Sequence, residues 1–201
     1  SLSTLNEQTR HLIKAGELGK LGVRAEAGGL RGVYSELISG INATVERLVS
    51  FLDKLPLPCF CVDAERNIIY MNAAGKSVLG ELGDEAVIGQ KCFHLLKTGD
   101  CDTDRCACGR AMDDGGTHSS LTQCNPREDV MMDISYSGTV LLDAAGKPVG
   151  AFAVLQDLSE IKQTSRLAEK RAAYQNREVD KVVAYMEDMA QGVLDESLQV
   201  D

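Results

Sequence analysis

The chain has 201 residues with 21 Lys and Arg against 30 Asp and Glu, a formal net charge of −9, and it contains 44% hydrophobic residues but no Trp. That length allows one or two small domains with mostly aliphatic cores, and the acid excess speaks against nucleic-acid binding, which needs a basic face to neutralise phosphates. No run of about 18 apolar residues is present, so no segment reads as a membrane span, and the seven cysteines, without a secretion signal, favour a reduced compartment with thiols free for metal or redox chemistry.

Residues 2–24 read as a helix whose Leu2, Leu5, Thr9, Leu12 and Gly16 are spaced three and four apart. Gly16, Gly19 and Gly22 weaken it, and a connector rich in glycine (Gly28, Gly29, Gly32) follows. A second helix is expected from Gly32 to Lys54, with the stripe Tyr34, Leu37, Ile38, Ile41, Val45, Leu48 and Leu52. Asn42 lies at the edge of that stripe, where a polar residue can fix register. Neither stripe has a partner long enough to cover it within the chain. A parallel homodimer, four helices in one bundle, covers both.

Pro56 and Pro58 end the second helix and open a region of different pattern, residues 55–157, and residues 51–157 hold sixteen acidic and nine basic residues. Cys59–Asp63 and Asn67–Met71 read as short strands joined by a turn at Ala64-Glu65-Arg66. Asn72 is the expected N-cap of a short helix to Leu79, and two further short helices are expected between Asp84 and Met112. Strands at Ser119–Cys124, Val130–Leu142 and Val149–Gln156 follow, the last two joined by a hairpin at Ala144-Ala145-Gly146-Lys147. Two strands, several helices and three strands define an α+β class: a five-stranded antiparallel sheet with short helices on one face, flanked by long helices. Residues 158–194 are helical again, with Val179, Val182, Val183, Met186, Met189, Ala190 and Val193 on one side. Gly192-Val193-Leu194 echoes Gly19-Lys20-Leu21.

The middle region resembles the PAS fold family. The likeness is carried by Val62-Asp63, a turn, then Ile68-Ile69-Tyr70-Met71-Asn72-Ala73-Ala74; by Val87-Ile88-Gly89-Gln90-Lys91-Cys92; by Gly146-Lys147-Pro148-Val149-Gly150; and by Asp157-Leu158-Ser159-Glu160, similar to the Asp-x-Thr that closes such domains. The flanks resemble HAMP-type modules of bacterial methyl-accepting chemotaxis receptors, through Gly19-Lys20-Leu21-Gly22-Val23-Arg24 and Tyr34, Leu37-Ile38 and Ile41-Asn42. The resemblance implies three parts: a HAMP-type segment at 1–54, a PAS sensory domain at 55–157, and an output helix leading into a second HAMP-type segment at 158–201. It also implies a non-enzymatic signalling module, the cytoplasmic portion of a membrane-anchored receptor, acting on a downstream signalling domain of the same parent chain. A histidine kinase, a cyclase or a plain spacer is the alternative setting. Asp157 and Ser159, at the junction of the last strand and the output helix, are the implied relay, because both side chains can accept from the unpaired N–H groups of a helix start.

Cys92, Cys101, Cys106 and Cys108 are the leading site candidates. Four thiols within seventeen residues suit a reversible disulfide, a zinc or iron–sulfur site that needs converging thiolates, or simple burial as small side chains. Cys59 and Cys61, two apart on a strand, share one face, and Cys124 on another strand is placed to approach them. His94 and His118 are candidate ligands of a non-covalent haem. A flavin photosensor reading of Cys92 lacks the Asn and Gln that go with it. Asp100, Asp102 and Asp104 imitate a calcium loop, but Arg105 and Ala111 replace the Gly and Glu it requires, leaving a solvated acidic turn. No nucleophile elbow, P-loop or zinc-protease motif is present.

The dimer follows from the unpaired stripes. Ile41→Asp, which puts a charge into the seam, is expected to weaken it as measured by light scattering. A wild-type chain that stays monomeric at high concentration contradicts the dimer.

Overall fold

The computed structural model describes residues 2–190. They divide into two units, one ending at Leu158 and the other beginning at Ser159.

In the first unit, helix α1 (Leu2–Glu17) and helix α2 (Val33–Asp53) are joined by the glycine-rich connector. Helix α1 is shorter than its sequence spacing suggests. Gly19 leaves the helix with a φ of +69°, where a Cβ would stand 2.9 Å from a methyl of Ile69 and 3.2 Å from one of Leu141. Leu5 and Leu12 pack with Ala25, Leu30 and Ile38. Further along, Leu12 and Gly16 face Val45 and Leu52 across a shared concavity, so the two helices run parallel. Asn42 acts within its own chain: its side chain accepts from Ala25 N at 3.0 Å and donates to Ala25 O at 2.8 Å, pinning the connector to α2. The α2 stripe is divided. Ile38 and Leu52 turn inward, while Tyr34, Leu37 and Leu48 are exposed, as is Phe51 outside the stripe.

Strands β1 (Cys59–Asp63) and β2 (Ile68–Met71) come next, then helices α3 (Ala73–Val78), α4 (Asp84–Val87), α5 (Cys92–Leu96) and α6 (Ala107–Asp114). Strands β3 (Thr117–Arg127), β4 (Val130–Leu142) and β5 (Pro148–Asp157) complete a five-stranded sheet of order β2-β1-β5-β4-β3. All its pairings are antiparallel, as the α+β reading expects. Alternation sorts the side chains onto two faces. Phe60, Val62, Ile134, Tyr136, Ala153 and Leu155 point to the face carrying the short helices and form the main core with Leu79, Val87, Leu96 and Ala107. Small residues let α6 come close: a Cβ on Gly138 of β4 would lie 2.8 Å from the Cys108 backbone nitrogen.

The opposite face is also covered. Cys59, Cys61 and Tyr70, with Phe152 and Val154, pack beneath Leu21 and the α2 residues Val49 and Leu52. Tyr70 and its neighbour Ile69 both reach this layer because β2 bulges against β1 between Cys61 and Val62.

Asn72 ties these layers together. It is fully buried, and its Oδ1 accepts from Cys59 N and Gly75 N, both at 2.9 Å. Its Nδ2 donates to Leu52 O at 3.1 Å, in the last turn of α2, and to Leu57 O at 2.9 Å, in the segment that leads from α2 to β1. Tyr70 adds a bond to Asp53 Oδ1 at 3.0 Å. Asn72 is therefore the expected N-cap, and also the clasp between α2 and the sheet.

Among the described residues, the second unit holds one helix, α7 (Ser159–Ala190). Ile161, Tyr174, Val179, Val182, Val183, Met186 and Met189 are exposed along it. The glycine echo at Gly192-Val193-Leu194 lies outside the described residues.

Candidate functional site

The sequence-selected cysteines Cys92, Cys101, Cys106 and Cys108 line one small cavity on the helical side of the sheet, together with Phe60, Leu96, Thr98, Tyr136 and Leu155. Local structure places each. Cys92 opens α5, Cys106 is the N-cap residue of α6, and Cys108 lies in its first turn. Cys101 sits in the loop between them, which starts where Lys97 ends α5 with a φ of +47°.

That loop is held by a residue the sequence reading assigned to solvent. Asp100 is only 3% exposed. Its Oδ2 accepts from Ser120 Oγ at 2.5 Å and from Tyr136 Oη at 3.3 Å, and its Oδ1 lies 3.4 Å from Arg105 Nε. Asp102 and Asp104 do remain exposed, but Asp100 is a buried carboxylate with its own donors. The same Tyr136 hydroxyl accepts from Ala107 N at 3.1 Å, so loop, α6 and β4 meet at one phenol.

The four thiols differ electrostatically. Burial, followed by the neighbouring Cys106 and Cys101, pushes Cys92 up to about 12. Burial raises Cys101 as well, although Thr98 N donates to its sulfur at 3.2 Å. Cys106 is held below its ordinary value, chiefly by the hydrogen bond from the Cys108 thiol. The Gly109 N–H and the Arg66 guanidinium act in the same direction, against the effect of burial. Cys108 is raised by that same hydrogen bond and by burial. The pair thus favours the thiolate on Cys106, at the start of α6, over one on Cys108.

The remaining candidates lie elsewhere. Cys59 and Cys61 do share a face, but it is the face under α2. Cys124 belongs to the opposite, helix-covered core and donates to Leu96 O at 2.9 Å, so it does not approach them. Alternation along the sheet puts the two groups on opposite sides. His94 is exposed with its ring against Phe93, and His118 bonds Asp114 at 2.7 Å. Neither histidine lines the cavity. The cavity measures about 30 Å³, against roughly 300 Å³ or more for a usual cofactor pocket, so these residues do not fit haem or flavin. Among the described residues no three His, Cys, Asp or Glu side chains are arranged to hold a metal ion. All seven cysteines are free thiols. A much larger concavity, about 550 Å³, is an open groove lined by Arg105, Arg110, Ser119, Ser120 and Ser135, apart from the thiols.

A five-stranded antiparallel sheet with short helices enclosing a small cavity on one face defines an α+β domain of the kind that places a buried site beside a sheet. The sequence model of the family described as PAS fold matches residues 52–163, more than half of the chain, and the chain belongs to that family. No curated protein matches it. Among solved structures it is similar to a PAS domain from Colwellia psychrerythraea, at 17% identity and a TM-score of 0.51, covering 58% of this chain and 98% of that one. It is similar also to an RNA-binding light-oxygen-voltage receptor, at 16% identity and a TM-score of 0.51, covering 76% of this chain and 41% of that one. At such identities the likeness is one of fold.

Sequence reasoning missed Asp100, Tyr136 and Arg66. The inward parity of Tyr136 on its strand was a usable signal; nothing local marked Asp100 as buried. Tyr136→Phe leaves the Ala107 N–H without its acceptor and Asp100 with one donor fewer. We expect it to destabilise the first unit by about 1–3 kcal/mol, read as a lower urea midpoint at unchanged slope. An unchanged midpoint contradicts the role given to the phenol.

Proposed function

We propose that this chain is a sensor-and-relay module of a receptor of the chemotaxis type. Its PAS domain reads a small ligand, metal or redox state and passes the change through HAMP-type helices, in a parallel homodimer, to a downstream signalling domain of the parent chain. It works on the cytoplasmic side of a membrane-anchored parent and turns over no substrate. The observation that carries this reading is the contact between α2 and the sheet. Leu52 O and Leu57 O are bonded by Asn72, and Val49 and Leu52 cover Cys59, Cys61 and Tyr70. A change in the sheet therefore meets a helix end directly, and packed elements tend to switch between discrete arrangements.

The exposed part of α2 supports the dimer. Exposed Leu37, Thr44, Leu48 and Phe51, with half-buried Ile41 among them, are spaced four and three apart, the seam a second helix fills. No described helix is long and apolar enough to cross a membrane, so an anchor belongs to other parts of the parent. A spacer that senses nothing is the second reading, favoured by the small size of the cavity.

The relay to α7 is tested at Asp157, the last residue of β5, two residues before the helix starts. In the full receptor Asp157→Ala is expected to abolish the difference in signalling with and without stimulus. The same substitution is expected to cost this chain only about 1 kcal/mol, as for a lost cap, measured by thermal melting. A preserved stimulus response, or outright unfolding, contradicts the relay.

A further inference from the structure

The thiol cavity has an open side. Cys106 is partly exposed while Cys108 is 4% exposed. Gly109, one turn into α6, has no side chain to cover them: a Cβ there would lie 3.9 Å from both Cys106 Sγ and Arg66 Nη2. Arg66 is steered to this place by Asp102, whose Oδ1 is 3.0 Å from Nη1. It comes from the β1–β2 turn, where its own φ is +66°. A sulfur at a helix start, a neighbouring thiol donating to it, a guanidinium beside it and a glycine at the mouth together form a reactive-thiol environment.

We propose that Cys106 and Cys108 are a redox-active dithiol responding to a hydroperoxide, with Cys106 the attacking sulfur and Cys108 the resolving one. The proposal rests on the sensor reading above and names the stimulus. In the first step the Cys106 thiolate attacks the terminal peroxide oxygen. The S–O bond forms, the O–O bond breaks, and the departing hydroxide or alkoxide takes up a proton to give water or an alcohol. Cys106 is then a sulfenic acid. In the second step the Cys108 sulfur attacks it: the S–S bond forms, the S–O bond breaks, and the oxygen leaves as water with the proton of Cys108. Two thiols and one hydroperoxide give one disulfide, one water, and one further water or alcohol.

The other thiols are poorer candidates for the attacking role. For Cys92, burial and the neighbouring Cys106 and Cys101 outweigh the Arg66 guanidinium and the Phe93 N–H and raise it, and the Cys101 sulfur is already engaged by Thr98 N and its hydroxyl. Closure of the ring removes the thiol hydrogen bond and constrains residues 106–108. Those residues touch β4 at Gly138, and through Ala107 N they touch Tyr136. The chemistry thus acts on the central part of the sheet.

The sequence makes the test direct. Tryptic cleavage after Lys91, Lys97, Arg105 and Arg110 puts Cys92, Cys101 and the Cys106–Cys108 pair on three separate peptides. The reduced chain is treated with a slight excess of hydrogen peroxide, blocked with iodoacetamide, digested and weighed. The peptide 106–110 is expected to be lighter by two hydrogens and unalkylated, with Cys92 and Cys101 alkylated. In Cys108→Ser, dimedone is expected to trap a sulfenic acid at Cys106. In the untreated wild-type chain at pH 7, Cys106 is expected to alkylate at least about tenfold faster than Cys124, which burial pushes up to about 12. Equal rates, no disulfide within 106–110, or a disulfide carrying Cys92 or Cys101 instead would overturn the proposal. Failure here leaves the Asp157 relay test standing. Correct dithiol chemistry with no change in receptor output would reject the sensor reading instead.

Discussion

Asn72 holds a side-chain amide where no water reaches, and every bond it makes joins a different part of the first unit. Its oxygen meets the first residue of β1 and the first turn of α3, and its nitrogen meets one carbonyl of the last turn of α2 and one of the segment that follows it. A buried amide without partners is costly, so this position is tolerable only while all those elements stay in place. Removing it would strand the Cys59 and Gly75 N–H groups and take a donor from Leu52 O and Leu57 O, at about 1–3 kcal/mol for each group left unsatisfied. The apolar layer around it, Val49 and Leu52 over Cys59 and Tyr70, supplies the non-directional attraction. The amide supplies the register.

The thiol site depends on the same sheet from its other side. Helix α6 lies close enough to β4 to use it because Gly138 and Ala107 leave room. Asp100 and Tyr136 then fix the loop that carries Cys101 and delivers Cys106 to the helix start. One sheet therefore carries a reactive pocket on one face and the end of a helix on the other, separated by one layer of strand. That short distance is what makes a relay physically reasonable: Phe60 in the core and Cys59 and Cys61 under α2 are neighbours on β1.

Much of this was legible in the sequence. The bounds of β4, the turn before Asn67, the hairpin at Gly146 and the Asn72 cap all follow from alternation and turn chemistry. The gathering of four cysteines on the helical side followed from their spacing. What could not be read was which apolar residues meet across long separations. The α2 stripe looked like one face for one partner, yet Ile38 and Leu52 serve the connector and the sheet while Leu37 and Leu48 stay outside. Asp100 looked like one more turn acid, because its donors Ser120 and Tyr136 lie twenty and thirty-six residues away. The contrast between Cys106 and Cys108 comes chiefly from the hydrogen bond between them, and Arg66, forty residues upstream of Cys106 and brought close only by the fold, favours the thiolate of Cys106 as well.

The central claim, that α2 and the sheet behave as one body, is most directly tested by native-state hydrogen exchange. The amides of Lys54 and Leu55 at the end of α2, and of Cys59 bonded to Asn72, are expected to open together with Leu155 of β5, which bonds Pro58 O at 2.8 Å. A shared opening free energy for these amides places helix end and sheet in one cooperative unit. Exchange of Lys54 and Leu55 as a frayed helix terminus, orders of magnitude faster than a still-protected Leu155, would contradict the account.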